Sequence, residues 1–461
     1  MVQVNVGTLA QDPTLPDLAA ALDSQAMLKV FRKHLRPIGD TAYEIQSCRL
    51  SRIRYRMSFR CILQYTLSLL DPDTGRQRNL LISGTMYADA DAARRRFRKL
   101  LVEDLAREIP DSLLIFEPVS FVSDLGMLLQ VFPYDRKLPT LPLLAAGPPP
   151  DLEPLLVTRL GPGDWRAAAW KTESVRYREQ IGAVLRYDGR ARNTATGEEA
   201  LRRFYVKVYR DDTGERTLRA LGDIRRICDE SGESFTVGTP VAYTGCLRAL
   251  VLEEAPGASL EDVLLDGDDT VETMRKVARD LAAFNQLYMH PEQRYTLMDQ
   301  ISSLERSARL LRWACPNLSP EIDTIVATVA DGLEEVRPRP THRDLKPDHI
   351  FLDGARTVFI DLDSFAGADP VLDPALFLAW LAALPDLLPV PRSRARMASR
   401  TFASEYFAHV PKSWHDRLYL HYSGALLEVA QGFFRRQEPG WPTKITALVR
   451  EAEASLGGGI W

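Results

Sequence analysis

The chain reads Thr-His-Arg-Asp-Leu-Lys-Pro-Asp-His-Ile-Phe-Leu-Asp from residue 341 to 353 and, after a short turn, Val-Phe-Ile-Asp-Leu-Asp from residue 358 to 363. Two apolar runs on either side of a glycine-containing turn are typical of a β-hairpin. Such a hairpin brings Asp344 and His349, before its first strand, close to Asp361, after its second strand. Carboxylates that converge at strand ends need a positive charge between them, and a hydrated Mg²⁺ meets that need. The stretch therefore predicts a metal-dependent site.

Phosphoryl transfer uses such a set: a carboxylate that orients a hydroxyl, ligands for magnesium and a lysine for the phosphates. The stretch resembles the catalytic and metal-binding loops of the aminoglycoside and choline kinase-like phosphotransferases, a branch of the protein-kinase-like fold. The resemblance rests on His342, Asp344, Ile360-Asp361, and the turn 368–370 followed by Asp373. Each residue alone would more often be a turn or packed loop residue. Together, at this spacing, they imply an α+β, bilobal, kinase-like fold.

The resemblance also implies roles for the loop residues. Asp344 would orient the substrate hydroxyl or act as the catalytic base, and Asp361 would bind the metal. The family's usual metal-binding Asn is His349 here, and imidazole prefers transition metals over Mg²⁺. The second metal site is therefore open to question, or Asp363 partly replaces it. Lys346 could reach the transferring phosphate and offset its developing charge.

Composition narrows the class of protein. The chain has 461 residues, enough for two or three domains, and its 58 basic and 62 acidic residues give a net charge of −4. This balance does not favour nucleic acid or an anionic membrane as a partner. We see no signal peptide and no apolar run long enough to span a bilayer. The 5 cysteines are scattered without a CxxC pair, which suits a reducing cytoplasm.

The first third of the chain contains a pattern that returns later. Residues 54–89 match residues 176–211 after a shift of 122 positions, with 9 identities in 36 positions and no gap. We interpret this unbroken register as an internal duplication. A proline-rich stretch between the copies predicts a linker. The predicted domains are an extra small-lobe-like domain (1–140), a linker (141–160), a nucleotide-binding small lobe (161–256) and a helical large lobe (257–461).

Only the second copy has a candidate nucleotide lysine. Lys207 lies in the apolar run 204–209, and its counterpart in the first copy is Thr85. A lysine in such a strand resembles the kinase lysine that holds nucleotide phosphates, although a solvated strand lysine is the alternative interpretation. Its acidic partner on the next helix would be Asp223, with Glu215 as the fallback.

The same resemblance places the rest of the nucleotide site. A glycine-rich phosphate loop is absent, and the turn 176–180 takes its place, so that Arg176 or Arg178 could touch phosphate. The backbone at Glu253 and Ala255 would hydrogen-bond adenine.

Two classes of function remain. The first is an ATP- and Mg²⁺-dependent phosphotransferase that acts on a hydroxyl of an amino sugar, aminoglycoside, choline-like amine or sugar, with ATP and GTP both open as the donor. Protein kinases have a similar catalytic-loop sequence. Here, however, Asp361 is followed closely by a predicted helix, which leaves no room for an activation segment. The second is a non-catalytic nucleotide-binding pseudokinase or regulatory module, which His349 and the lysine-free first copy favour. The first copy could dock on the second, cover the cleft or form a homodimer.

Overall fold

The computed structural model describes residues 12–38, 43–102, 109–160, 163–267 and 269–458. The chain divides into two compact units. The sheet unit comprises residues 1–214, 241–253 and 435–439, and the helical unit comprises residues 215–240, 254–434 and 440–461. Within the described ranges, no helix combines the length and the apolar composition that crossing a bilayer requires.

The sheet unit begins with a five-stranded antiparallel sheet, here called the front sheet, in the order β1-β2-β3-β5-β4. Alternate residues of its second strand, from Cys61 to Leu67, are fully buried, as expected where one sheet face packs on helices. The Tyr65 hydroxyl on this face donates a hydrogen bond to the Ala21 carbonyl at 2.6 Å. The elements are α1 (Leu18–Leu22), α2 (Ser24–His34), β1 (Glu44–Arg56), β2 (Arg60–Leu70), β3 (Gln77–Tyr87), α3 (Ala90–Val102), β4 (Val119–Val122) and β5 (Met127–Val131).

A second five-stranded antiparallel sheet, here called the second sheet, follows in the order β6-β7-β8-β11-β10. Each of its strands lies close to 122 positions after a front-sheet strand, and the strand order corresponds throughout. Its elements are β6 (Trp165–Arg178), β7 (Gly182–Asn193), β8 (Glu199–Tyr209), β10 (Pro240–Thr244) and β11 (Ala249–Glu253). The turns after β1 and β6 both contain a residue with positive φ, Ser58 at 52° and Gln180 at 58°. The extra N-terminal sheet is thus confirmed, while its origin by duplication stays a prediction.

The proline-rich segment between the sheets forms two short helices, α4 (Leu141–Ala146) and α5 (Glu153–Val157), rather than extended chain. Leucines 141, 144, 152 and 156 are buried in one core with the second sheet. Both helices carry proline in the first turn, where the missing N–H would be unpaired anyway. Composition alone predicted a linker because it does not show which leucines share a face.

The helical unit is built around α11, which is apolar on all sides and buried along most of its length. Its helices are α6 (Thr213–Ser231, beginning at the unit boundary), α7 (Leu260–Asp266), α8 (Thr270–Gln286), α9 (Leu297–Ala314), α10 (Ser319–Gly332), α11 (Leu372–Leu387), α12 (Arg392–Ala408), α13 (Lys412–His415), α14 (Leu418–Arg435) and α15 (Trp441–Ser455).

Short strands in this unit position the loops of interest. They are β9 (Phe235–Val237), β12 (Ala258–Ser259), β13 (Arg339–Thr341), β14 (Ile350–Asp353), β15 (Arg356–Phe359) and β16 (Ala366–Ala368). The predicted hairpin is confirmed: β14 and β15 pair antiparallel, and Gly354 adopts a positive φ of 55° in the turn. Because β13 pairs with β16, the loops 342–349 and 360–365 leave neighbouring strand ends. Antiparallel sheets and a helical unit confirm the α+β class.

Candidate active site

The buried His342 imidazole links the two loops of the site. Its Nε2 lies 2.8 Å from the Ile360 carbonyl oxygen, and its Nδ1 accepts a hydrogen bond from the Asp344 backbone N–H at 3.3 Å. A carbonyl only accepts, so Nε2 carries the proton and the ring is neutral when both bonds form. One side chain therefore fixes the backbone beside Asp344 and the backbone immediately before Asp361.

Asp373, in the first turn of α11, fixes the backbone of the same loop. Its fully buried carboxylate accepts from the backbone N–H groups of His342 at 2.8 Å and Arg343 at 2.7 Å, and from Asn285 Nδ2 at 2.8 Å. Arg343 has a φ of 65°, a conformation that costs energy for a non-glycine residue. Burial raises the pKa of Asp373, while the three donors oppose this by stabilising the carboxylate. The strained loop is thus fixed by a charged anchor.

Sequence reasoning matched Asp373 to the family's turn but gave it no role, and it missed Asn285 entirely. Asn285 lies on α8, 88 positions before Asp373. Its amide also donates to the Pro340 carbonyl, and its side-chain oxygen accepts from the Tyr406 hydroxyl. No local pattern distinguishes this asparagine, because its partners come from distant elements.

Asp344, His349 and Asp361 form a group of three side chains that could hold a cation. One ligand atom from each residue lies within 4.8 Å of the others. Asp361 has a φ of 63°, which turns its side chain at the end of β15. The convergence that the hairpin pattern predicted for these three residues is confirmed.

The His349 imidazole is oriented for a cation. Its Nδ1 lies 2.8 Å from the Asp344 carbonyl oxygen, so Nδ1 carries the proton. Burial holds the pKa of His349 well below its usual range, although the Asp361 carboxylate pulls in the opposite direction. A neutral ring then presents the Nε2 lone pair to Asp361 Oδ2 at 3.3 Å. Two acceptors at this distance repel each other unless a cation lies between them, so the donor set fits a bound metal ion.

Asp363, which the sequence offered as a partial replacement for the family's metal-binding Asn, contacts a residue of α6. In the described part of the chain it is not a member of the three-residue group, and its Oδ1 accepts from the Thr217 hydroxyl at 3.3 Å. Thr217 is buried on α6. The contact ties α6 to the loop that follows Asp361, and metal binding by Asp363 stays a prediction.

Lys346 lies in the loop between Asp344 and His349. Its ammonium is 3.2 Å from Asp348 and 5.9 Å from the centre of the half-buried Trp380 ring. Only 14% of its side chain is exposed. These contacts hold the Lys346 ammonium within the loop.

The expected nucleotide residues lie mostly in the sheet unit. Lys207 is buried on β8 and shares a strand face with Tyr205 and Tyr209. Arg176 is half-buried near the end of β6. Burial lowers the pKa of Arg52 on the front sheet, and the nearby positive charge of Arg176 lowers it further.

The remaining candidates lie at the boundary between the units or on α6. Glu253 ends β11, and the division between the two units falls immediately after it, before Ala255. Asp223 is exposed and lies 3.6 Å from Arg226, and Glu215 lies 2.9 Å from Arg219. Each acid thus has a basic neighbour on its own helix, and the roles assigned to these residues stay predictions.

Residues 183–407 match the model of the phosphotransferase enzyme family APH. This segment is similar to that family. The match begins in β7 and ends in α12, so it contains Lys207 and all the loop residues of the cation group. The front sheet lies outside it. No curated protein matches the chain.

Several solved structures of phosphotransferases are similar to this chain. A thermostable mutant of the aminoglycoside phosphotransferase APH(4)-Ia is 14% identical with a TM-score of 0.46, covering 67% of this chain and 100% of that one. Choline kinase LicA from Streptococcus pneumoniae is 15% identical with a TM-score of 0.41, covering 63% and 94%. The ADP-bound aminoglycoside phosphotransferase APH(2'')-Ib is 12% identical with a TM-score of 0.39, covering 62% and 94%. Likeness at this level carries no conclusion about activity.

Proposed function

We propose that this chain is an ATP- and Mg²⁺-dependent phosphotransferase that phosphorylates a hydroxyl group of a small molecule. The observation that carries the proposal is the group of Asp344, His349 and Asp361, in loops that His342 and Asp373 hold in place. A solvated surface loop would not need a buried carboxylate to fix its backbone. The family match supports phosphoryl transfer as the class of reaction.

Each loop residue has a proposed part in the chemistry. Asp344 would accept a hydrogen bond from the acceptor hydroxyl and take its proton as the new phosphorus–oxygen bond forms and ADP leaves. Asp361 and His349 would hold the metal ion, which supplies positive charge to the phosphate oxygens when bound. Lys346 would offset charge on the transferring group.

The sheet unit would contribute the nucleotide contacts. Lys207 would hold the α- and β-phosphates, with Asp223 as its acidic partner, and Arg176 would touch phosphate. The backbone of Glu253 and Ala255 would contact adenine. These assignments follow the family resemblance.

The acceptor would be an amino sugar, an aminoglycoside, a choline-like amine or a sugar. The proposed test is ATP turnover by the purified full chain with a panel of these acceptors, in Mg²⁺ and in Mn²⁺. We expect turnover with at least one acceptor and a loss of about 10²-fold or more in Asp344→Ala. Asp353→Asn, which changes an exposed acid in the hairpin turn, is the matched control and should retain activity.

A non-catalytic nucleotide-binding module is the second candidate, because His349 stands where the family has a metal-binding Asn. Under this alternative the chain would bind nucleotide without turnover in either metal, and Asp344→Ala would change nothing. Transfer of phosphate to any acceptor that disappears in Asp344→Ala would exclude it.

A further inference from the structure

One face of the front sheet carries an unusual row of buried polar side chains. Gln64, Ser83 and Gln130 are directly opposite one another on β2, β3 and β5, and Thr85 follows on the same face of β3. All four are buried. Buried polar groups in a native protein normally have polar partners, so this face is expected to receive something polar.

The face receives the turn between β6 and β7 of the second sheet, residues 178–182, here called the second-sheet turn. The Thr85 hydroxyl donates to Glu179 Oε1 at 3.5 Å, and Arg60 donates to the Gln180 side-chain oxygen at 3.3 Å. Glu179 is 3% exposed. The Phe132 and Tyr177 rings pack edge to face beside the turn, with centres 5.2 Å apart. Both sheets belong to the same compact unit.

Asp135, which follows β5, anchors the backbone of the turn. Its Oδ2 accepts from the Gln180 backbone N–H at 2.7 Å and from the Tyr177 hydroxyl at 3.0 Å, and its Oδ1 accepts from the Lys137 N–H at 2.8 Å. The carboxylate is 2% exposed. Hydrogen bonds to a buried carboxylate are among the stronger ones in proteins. The conformation of the turn therefore depends on Asp135, a residue that follows the last strand of the front sheet.

The internal repeat shows which face of the front sheet makes this contact. A shift of 122 positions places Thr85 where the second sheet has Lys207. The front sheet therefore presents to the second-sheet turn the face on which the second sheet carries its candidate phosphate-binding lysine. The turn joins β6, which carries Arg176, to β7, which pairs with the strand that carries Lys207. In the family resemblance this turn takes the place of the phosphate loop.

We propose that the front sheet is a clamp that positions the nucleotide loop, with Asp135 and Glu179 as its positioning residues. The clamp would fix the second-sheet turn before nucleotide binds and so set nucleotide affinity rather than the rate of the chemical step. The predicted effect on nucleotide affinity rests on the proposed function. The clamp itself depends only on contacts within the sheet unit.

The clamp has a titratable part. Burial raises the pKa of Glu179 to about 7, and the Asp135 carboxylate raises it further, while Arg54, the side-chain hydrogen bond from Gln180, and Arg60 act in the opposite direction. In the described structure Glu179 Oε2 is buried without a hydrogen-bond partner. Above neutral pH, a second carboxylate charge would form beside Asp135. Because the carboxyl of an undocked turn would ionise near its ordinary pKa of 4.5, docking should weaken as pH rises from 4.5 to about 7 and change little above that.

Two measurements on the full chain test the clamp. The first is hydrogen exchange of peptides that cover residues 176–184, without nucleotide. Asp135→Asn should speed exchange of the Gln180 amide about tenfold or more, because the amide loses a charged acceptor. Asp124→Asn, an acid on the surface of the front domain with a 75% exposed side chain, is the control and should match wild type. Unchanged exchange in Asp135→Asn would overturn the proposal, whatever happens to nucleotide binding.

The second measurement is the KM for ATP and kcat between pH 6 and 8.5. We expect Asp135→Asn to raise the KM for ATP about fivefold or more with kcat nearly unchanged. In wild type the KM for ATP should rise between pH 6 and 7 and level off above pH 7, and in Glu179→Gln this rise should disappear. A pH-dependent rise that persists in Glu179→Gln would overturn the titratable part. Faster exchange in Asp135→Asn together with no nucleotide binding in wild type would instead overturn the proposed function and retain the clamp.

Discussion

Glu179 should make the stability of the sheet unit depend on pH. Its carboxyl is buried between the two sheets, and burial raises its pKa from an ordinary 4.5 to about 7. The folded state thus binds this proton more tightly than the unfolded state does. For a carboxyl with a raised pKa, stability is complete below the unfolded value, falls as pH rises through 4.5, and reaches its lower limit above pH 7.

The magnitude follows from the two pKa values. Their difference is roughly 2.5, and each pKa unit corresponds to ~1.36 kcal/mol. Ionised Glu179 therefore costs the folded state up to ~3 kcal/mol at pH 8. Glutamine has a similar shape and no charge, so Glu179→Gln should stabilise the protein by up to ~3 kcal/mol at pH 8 and by close to nothing near pH 4.5.

Urea unfolding of wild type and Glu179→Gln, followed by tryptophan fluorescence at several pH values from 5 to 8.5, measures this difference. The matched control is Glu173→Gln, which removes an exposed acid on β6, the strand before the turn. Glu173 pairs with Arg186 at 2.8 Å. The control should differ from wild type by less than ~1 kcal/mol, with little change across this range. The reasoning is refuted if the gain from Glu179→Gln is the same at pH 5 and pH 8.

Three further outcomes follow from the structure. Asp373→Asn should lower the free energy of unfolding by about 3 kcal/mol in urea unfolding and reduce kcat, because an amide NH₂ must then face one of three N–H donors. His349→Asn should shift the ratio of Mn²⁺-supported to Mg²⁺-supported turnover about tenfold towards Mg²⁺, since an amide oxygen suits Mg²⁺ better; an unchanged ratio would count against His349 as a ligand. Leu144→Ala, at 0% exposure, should lower the free energy of unfolding by about 2–5 kcal/mol, but Leu143→Ala, at 45%, by less than ~0.5. Equal effects of the two leucine changes would show that residues 141–160 do not pack as described.

The candidate site was largely predictable because its geometry is local. Asp344, His349 and Asp361 lie within eighteen positions of one another, and a tight hairpin leaves few ways to arrange its ends. The fold class and the extra sheet were likewise accessible, since strand patterns and an unbroken repeat register are properties of contiguous sequence. For such residues, the spacing along the chain is enough to predict the local structure.

The rest depends on partners that spacing does not reveal. Asn285 reaches Asp373 across 88 positions, and Thr85 reaches Glu179 across 94. Composition predicted a linker at 141–160 from its prolines, but four leucines bury that segment in the core of the second sheet. Asp363 looked like a metal ligand because of its position after Asp361, yet the structure gives it Thr217 as a partner. Each difference has the same cause, a side chain whose environment comes from a distant element.

The threonine at position 85, where the second sheet has Lys207, has a physical consequence for Glu179. A lysine at Thr85 would lie against Glu179 and form a buried ion pair, which would keep the glutamate charged and tie the turn at every pH. Thr85 instead offers one neutral donor at 3.5 Å, so the glutamate is left to titrate near neutrality. With threonine at this position the front sheet has no lysine to offer to nucleotide, and the same face holds the second-sheet turn through a contact that depends on pH. The absence of the lysine at position 85 is therefore consistent with a positioning role for the front sheet.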